Sequence, residues 1–425
     1  MTTDTLFIGV RLLDASSGVD THGDLLVRDG GTADFGSGIG RPDGAAIVQA
    51  EGAVLCPGLV DMRAALGEPG FDDRETSASA AAAAAAGGIT TLAALPDTLP
   101  AIDDPALVHM LRRRGEETGS LTILPYAAVT TGCAGEALAE LGLLREAGAV
   151  AFTDGGKTLR SARLMRLALS YAAGFGARIV QHREETSLGA GGAATEGELA
   201  TRLGLPGIPA VAEAIQVARD ISLARLTGGA VHFAHISTAA ALALIRAAKD
   251  EGVAITCDTA PPYFDLNETA IGDFRTYAKL SPPLRKDADR QAVAAALADG
   301  TIDAIASDHQ PRDADDKRQP FAQATPGGTG LATLLGVTLA QVHNGSIPLP
   351  RAIELLTARP ARLLGVEAGR LAKGAAADLC LFHPERIWKV ESGKLPGKAQ
   401  NTPFDGRALE GVVLGTWKTG RRVFG

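Results

Sequence analysis

The chain has 425 residues, of which 46% are hydrophobic, 21% are charged and only 4% are aromatic. Its formal net charge is −8 and no basic stripe runs along it, so we expect no nucleic-acid partner. No apolar run approaches the roughly 18 residues that a membrane span needs, and the polar start at residues 1–4 is unlike a signal peptide. The composition therefore predicts a cytoplasmic protein that associates with neither nucleic acid nor membrane.

The four cysteines are far apart in the sequence and form no Cys-x-x-Cys pair, which argues against a disulfide framework or a zinc knuckle. We expect reduced thiols at Cys56, Cys133, Cys257 and Cys380.

Short apolar runs alternate with longer segments of helical period from about residue 55 to residue 365. The alternation predicts parallel strands joined by crossover helices, and eight such units predict an α/β fold of the (β/α)₈ type, a TIM barrel. One connection, the alanine-rich Ser79–Gly88, predicts a helix of small residues packed closely on the sheet. The strand-like runs are Val54–Val60, Ile89–Leu95, Thr122–Val129, Ala149–Thr153, Ala177–Gln181, Val231–Ala234, Ala254–Cys257 and Ile302–Ser307.

Both ends of the chain contain shorter alternating stretches broken by Gly and Asp, which predict β-strands outside the barrel. The stretches are Leu6–Val10, Gly23–Val27, Ala46–Gln49, Asp378–Phe382, Gly411–Thr416 and Arg421–Phe424.

Polar side chains directly follow four of the predicted barrel strands: Asp154, His182, His235 and Asp308. Each one alone is open to a structural interpretation, as a buried histidine or a helix cap. The carboxyl ends of barrel strands converge, however, so the four together favour a site. One carboxylate and two imidazoles suit a divalent metal such as Zn²⁺ with a position open for water, and a second carboxylate beside that water can act as a base.

The segments around these residues resemble type I dihydroorotases of the amidohydrolase superfamily, over nearly the whole chain. The matching segments are Pro57–Gly70, Ala151–Gly155, His182–Glu185, Glu196–Glu198, Leu203–Pro209, His235–Thr238, Pro282–Arg285, Ser307–Pro311 and Asn401–Phe404. The resemblance implies a composite β-sandwich from residues 1–53 and 369–425 beside a barrel at residues 54–368. It also implies metal-dependent, reversible hydrolysis of dihydroorotate to N-carbamoyl-aspartate in pyrimidine biosynthesis, with Asp308 as the proton shuttle.

One departure from the family pattern concerns metal. Where the resemblance places Asp-x-His-x-His, the chain has Asp61, Arg63 and Ala65, so both histidines of the alpha metal site are missing. Asp154, His182 and His235 would form the complete beta site. We therefore expect one Zn²⁺, of the beta type.

A second departure concerns substrate. Gly67 stands where the family has the arginine of Leu-Arg-Glu-Pro, and three other family contacts are replaced by Asp97, Ser281 and Arg312. An anionic substrate would lose an arginine and meet Asp97. Arg312, or Arg63 in the first strand, would restore a positive charge. We expect Arg63, Asp97, Ser281 and Arg312 to contact the substrate.

Two alternatives stay open at this point. One is a catalytically silent homologue that serves as a structural partner of aspartate carbamoyltransferase; the other is an amidohydrolase for a different cyclic amide or ureide. If the chain is an enzyme, whether a dihydroorotase or another amidohydrolase, its ligand is a small cyclic amide. We also expect a homo-oligomer. We further expect His232 and His309 to be structural, Lys157 to be a loop lysine, and residues 309–330 to form a mobile lid.

Overall fold

The computed structural model describes residues 4–425, so residues 1–3 of the polar start lie outside the described part. Eight parallel strands, neighbours in chain order, form a nearly closed barrel with helices between them, as predicted. The first and last strands meet where the backbone N–H of Ala65 donates to the carbonyl of His309 at 2.8 Å. The barrel strands are Leu59–Ala64, Ile89–Ala94, Thr122–Ala127, Ala151–Phe152, Arg178–Gln181, Ala230–Phe233, Ile255–Thr259 and Ala304–Ile305.

The prediction of one continuous strand at Val54–Val60 is wrong. Val54–Pro57 pairs with the strands from the chain ends, and the first barrel strand begins only at Leu59. The chain changes sheets at Gly58, where a Cβ would approach the side chain of Thr90 to 2.2 Å. A hydrophobic run cannot reveal this break, because the strands on both sides of it are buried.

The two ends of the chain meet in one separate eight-stranded sheet. Its core includes Phe7 and Trp417, whose rings contact edge to face with centroids 4.8 Å apart. The alternating stretches at both ends are thus strands of a common sheet, while the limits of the two domains stay a prediction. The strands are Thr5–Asp14, Val19–Arg28, Gly31–Gly36, Ala46–Gln49, Val54–Pro57, Leu379–Lys389, Ala408–Lys418 and Arg421–Phe424, and a small two-stranded sheet pairs Ala194–Thr195 with Gly207–Ile208.

The alanine-rich segment forms the helix Ser77–Ala86, which begins at Thr76 with a reciprocal cap between Thr76 and Ser79. The other α-helices are Pro105–Thr118, Leu141–Glu146, Ala162–Ala173, Thr186–Gly189, Glu198–Leu203, Val211–Thr227, Ala239–Asp250, Pro261–Asp265, Asp287–Ala298, Ala314–Lys317, Leu334–His343, Leu349–Leu356 and Ala358–Leu364. Short 3₁₀ turns occur at Thr131–Cys133, Glu268–Ile271, Thr276–Ala278, Leu331–Thr333 and Ser392–Lys394.

All four cysteines are buried free thiols, which agrees with the prediction of reduced cysteines. Within residues 4–425, no helix is both long enough and apolar enough to cross a membrane.

Candidate active site

The barrel brings three of the four predicted strand-end residues close together. The rings of His182 and His235 have centroids 5.3 Å apart, and His235 Nδ1 lies 3.9 Å from Asp308 Oδ1. The ring of Tyr263 stacks on His235 at 6.1 Å. Two imidazoles and one carboxylate therefore face one another at the carboxyl end of the barrel.

Two of these residues have strained backbones. His235 has φ 44° and Asp308 has φ 47°, in the left-handed region that side chains with a Cβ rarely occupy. Such a conformation costs on the order of 1 to 3 kcal/mol and persists only where the surrounding structure imposes it. The surrounding structure thus imposes the backbone conformation that directs both side chains, as is common at functional sites.

The two imidazoles are buried, and three of their nitrogens have no hydrogen-bond partner among residues 4–425: Nδ1 of His182 and both ring nitrogens of His235. Burial lowers the pKa of both histidines well below the usual value, and the cations Arg183 and Arg63 lower it further. Both rings are therefore neutral at pH 7, which is the form that binds metal or accepts a proton.

Asp154 is held mainly by the segment that follows the third barrel strand, Thr122–Ala127. Its Oδ1 accepts the backbone N–H groups of Val129 and Thr130, each at 3.0 Å, and its Oδ2 accepts the Thr130 hydroxyl at 2.6 Å. Burial raises the pKa of Asp154, while the hydrogen bonds from Thr130 oppose the rise. The carboxylate is thus fixed in orientation, with lone pairs left over.

Asp308 is paired with the arginine that replaces a family histidine. Arg63 Nε donates to Asp308 Oδ1 at 2.9 Å, and Arg63 Nη2 donates to the carbonyl of Gly155 at 3.1 Å. The Arg63 side chain is only 1% exposed, and its Nη1 has no partner. Burial raises the pKa of Asp308, whereas the charge of Arg63 and its hydrogen bond oppose that rise. Arg63 therefore holds a cationic charge beside Asp308 inside the barrel.

The donor chemistry of these residues suits a divalent ion. The unpartnered, neutral imidazoles of His182 and His235 are suitable ligands, whereas Arg63 and Ala65 offer none for a second ion. No group of three or more His, Cys, Asp or Glu side chains between residues 4 and 425 is already gathered as a closed ligand set. Asp154 would have to turn toward the imidazoles to complete such a set.

Two adjoining cavities open at this end of the barrel, and both are lined by Cys133 and Lys157. We call the one beside Asp97 and Arg312 the front cavity; it has a volume of about 360 Å³. The inner cavity, of about 420 Å³, is lined by Asp154, His182 and Ser281 among others.

The predicted substrate residues are divided between these cavities. Asp97 and Arg312 line the front cavity and Ser281 lines the inner one, with its Oγ 3.5 Å from His182 Nε2. Asp97 Oδ2 accepts the backbone N–H of Gly156 at 3.2 Å. Arg63 lines neither cavity, because it is turned toward Asp308.

The histidines interpreted as structural do have structural partners. His232 lies between Thr256 and Asp258, at 2.8 and 2.9 Å, and His309 Nε2 lies 3.3 Å from Glu75. Lys157 is a loop residue, as predicted, but its Nζ donates to the carbonyl of Cys133 at 3.1 Å and it lines both cavities.

The segment 309–330 is packed more closely than its charge pattern predicts. It contains the short helix Ala314–Lys317, buries Lys317 and Phe321, and bridges to the barrel through His309. The charged sequence does not predict this packing, because Lys317 is buried with its ammonium group donating hydrogen bonds to the carbonyls of Thr276 and Lys279.

Sequence reasoning missed a buried charge network behind the histidines. Glu213 accepts hydrogen bonds from Ser237 and Thr238, and the guanidinium groups of Arg183 and Arg285 lie 3.6 and 3.8 Å from its Oε2. Glu213 lies inside the helix Val211–Thr227, and Arg183 directly follows His182. Neither residue is the first polar side chain after a strand, so the strand-end pattern does not mark it. Arg74, which lines the front cavity, was also missed.

Comparison with known proteins supplies the family. The family model described as "Dihydro-orotase-like" matches residues 52–241. A protein named dihydroorotase from Pelobacter propionicus is 44% identical over 414 residues, covering 97% of this chain and 98% of that protein. A second, from Geobacter sulfurreducens, is 42% identical over 411 residues, with 97% of each chain covered.

Solved structures with the same fold are more distant in sequence. L-hydantoinase from Arthrobacter aurescens superposes with a TM-score of 0.88 at 24% identity, covering 100% of this chain and 96% of that one. Dihydropyrimidinase from Brevibacillus agri superposes with a TM-score of 0.86 at 21% identity, covering 99% and 95%. At these identities the likeness establishes the barrel fold alone.

Proposed function

The chain belongs to the dihydroorotase family, and on that premise we propose that it is a cyclic amidohydrolase that reversibly hydrolyses dihydroorotate to N-carbamoyl-aspartate. The observation that carries the proposal is the convergence of Asp308 with the neutral, buried imidazoles of His182 and His235. Curated relatives at 40–44% identity over nearly the full chain carry the name dihydroorotase. On this proposal the chain would act in pyrimidine synthesis in the cytoplasm.

We infer that His182, His235 and Asp154 would hold one divalent ion, most suitably Zn²⁺, in the beta position. When bound, such an ion supplies Lewis-acid activation of the attacking water. The unpartnered ring nitrogens support this assignment, because buried polar atoms are normally satisfied by some partner. Thr130 would fix the orientation of Asp154, as hydrogen-bond donors behind metal ligands commonly do.

Asp308 would act as the proton shuttle. As a carboxylate it would take one proton from the attacking water while the water oxygen bonds to the ring carbonyl carbon. It would then give that proton to the ring nitrogen as the carbon–nitrogen bond breaks, which leaves the ureido nitrogen and a carboxylic acid whose remaining proton passes to solvent. Arg63 donates to this carboxylate, and its charge opposes the rise in the pKa of Asp308 that burial causes.

The surrounding residues would prepare the site for this chemistry. Tyr263 stacks on His235 and holds its ring, and burial keeps both imidazoles neutral. Ser281 reaches toward His182 from the inner cavity, where a ring substituent of the substrate would lie. Self-association, and association with aspartate carbamoyltransferase, remain predictions from the family resemblance.

The proposal is tested by following dihydroorotate and N-carbamoyl-aspartate with purified protein supplied with Zn²⁺, in both directions. We expect interconversion that stops when the metal is removed with a chelator and returns with added Zn²⁺. Dihydrouracil, which lacks the carboxylate, is the matched control substrate. Turnover of dihydrouracil but not of dihydroorotate would show that the substrate is a different cyclic ureide. Turnover of neither compound would favour a catalytically silent homologue.

A further inference from the structure

Three of the four positions at which this chain departs from the family's substrate contacts meet in one place, and Ser281 lies apart from them in the inner cavity. Gly67, Asp97 and Arg312 all line the front cavity. Two of the three changes remove or oppose positive charge, and yet the cavity contains more cations than anions. Its charged lining residues are Arg74, Lys157 and Arg312 against the single carboxylate of Asp97, which leaves a formal charge of +2.

Gly67 cannot carry a side chain in this backbone. Its φ is +74°, and a Cβ there would lie 2.5 Å from the carbonyl oxygen of Glu75 and 2.6 Å from that of Phe71. The carbonyl of Gly67 accepts the N–H of Phe71 at 2.7 Å, so residues 67–75 fold back as a tight loop. The glycine that replaces the family arginine is therefore also the residue that lets this loop bring Arg74 into the cavity wall.

Arg74 is held in place by a stacked ring and by an ion pair with Asp316 that is too long to be a hydrogen bond. Its guanidinium lies over the ring of Phe71, 4.8 Å from the centroid, and its Nε is buried without a hydrogen-bond partner. The nearest carboxylate, that of Asp316, is 3.6 Å away from Nη2, beyond hydrogen-bond distance. The stacking on Phe71 fixes the side chain, so little rotamer entropy would be lost on binding an anion.

Arg312 connects the front cavity to the catalytic carboxylate. Its Nε donates to the carbonyl of Pro326 at 2.8 Å, and its Nη2 lies 3.3 Å from Gln310 Oε1. Gln310 Nε2 in turn donates to Asp308 Oδ1 at 3.0 Å. Burial lowers the pKa of Arg312, and repulsion from the charge of Arg74 lowers it further, while the carboxylates of Asp97, Asp316 and Asp308 oppose the fall. An anion between them would relieve that repulsion.

Asp97 offsets only part of this positive charge. Its carboxylate is turned to the backbone of residues 155–156 and accepts the N–H of Gly156. Lys157 is anchored to the carbonyl of Cys133 and lines both the front and the inner cavity.

We propose that Arg74, together with Arg312, binds the carboxylate of the cyclic ureide substrate in the front cavity, so that the charge missing at residue 67 is supplied from residue 74. The assignment rests on the proposed function and names Arg74 as a determinant of specificity. A carboxylated ring would place its anion in the front cavity and its reacting carbonyl toward Asp308. An uncarboxylated ring would leave both guanidinium groups without a partner.

The test is calorimetric titration of the full-length protein with orotate, an unreactive carboxylated ring, and with uracil, the same ring without the carboxylate. We expect orotate to bind and uracil to bind at least tenfold more weakly, since a charge-assisted hydrogen bond contributes about one to two factors of ten in affinity. Arg74→Met should weaken orotate binding by about tenfold or more and leave uracil unchanged. Arg74→Lys, which keeps the charge and the loop, should lose less.

Arg113→Met, on an outer helix and 71% exposed, is the matched control and should match the parent protein. Equal binding of orotate and uracil, or orotate binding that is unchanged in both Arg74→Met and Arg312→Met, would overturn the proposal. Where the protein turns over dihydroorotate, Arg74→Met should raise KM and leave kcat within a fewfold, because the contact is the same in the ground and transition states. If orotate binding depends on Arg74 but no turnover occurs, the hydrolase function is refuted and the anion site is retained. If turnover occurs and is unchanged by Arg74→Met, the anion site is refuted and the hydrolase function is retained.

Discussion

Arg63→Met is expected to destabilise the fold strongly, because it removes the partner of Asp308 inside the barrel. The pair is joined by a 2.9 Å hydrogen bond, with the Arg63 side chain 1% and the Asp308 side chain 12% exposed. Removing one partner of a buried pair costs about 3 to 5 kcal/mol. The residual exposure of Asp308 and its bond to Gln310 place the expected loss near the lower end, about 3 kcal/mol.

The loss should depend on pH. Without Arg63, the pKa of Asp308 in the folded protein rises further above its value in the unfolded chain, because burial is no longer opposed by the guanidinium. The destabilisation is therefore complete at pH above that folded pKa and fades as the pH falls toward the ordinary carboxyl value of about 3.9.

Urea unfolding of the parent protein and of Arg63→Met at pH 8 and pH 5 measures both effects. The double variant Arg63→Met/Asp308→Asn, which leaves no unpaired charge, is the control and should recover most of the lost free energy. A midpoint for Arg63→Met that equals the parent value at pH 8, or a loss that is no smaller at pH 5, would refute the pairing.

Further expectations concern metal and pH. Protein loaded with Zn²⁺ should contain close to one ion per chain by elemental analysis, falling well below one in His182→Ala and His235→Ala; a value near two would contradict the missing alpha ligands. Burial, with the nearby cations Arg312 and Lys279, lowers the pKa of Lys317 to about 7. Between about pH 7 and 10 the unfolded chain therefore binds one more proton at this residue than the folded protein does. The free energy of unfolding should accordingly rise with pH across that window. Lys317→Met should flatten this rise in urea unfolding, and an unchanged slope would contradict the lowered pKa.

The barrel and the convergence of its strand ends were predictable from sequence, because apolar runs of strand length report burial directly. His182, His235 and Asp308 follow such runs, and the shared direction of parallel strands brings them together. The sheet formed by both chain ends needed the family resemblance, since Val54–Pro57 and Leu59–Ala64 look alike as sequences and differ only in their partners.

Side-chain partners were beyond prediction. The sequence places Arg63 where a histidine is expected, but only the structure pairs it with Asp308, 245 residues away. Arg74 lies in a charged loop and gives no periodic signal, because its position depends on the backbone at Gly67. The hydrogen bonds that fix Asp154 come from Thr130, a neutral residue that charge patterns overlook.

The most direct test of the proposed hydrolase is the rate of dihydroorotate hydrolysis by Zn²⁺-loaded parent protein and Asp308→Asn. The amide keeps the shape of the carboxylate and cannot accept a proton, so we expect turnover by the parent protein and a loss of at least about a hundredfold in kcat, with metal content unchanged. Equal rates for the two proteins, or no turnover by the metal-loaded parent, would contradict the account.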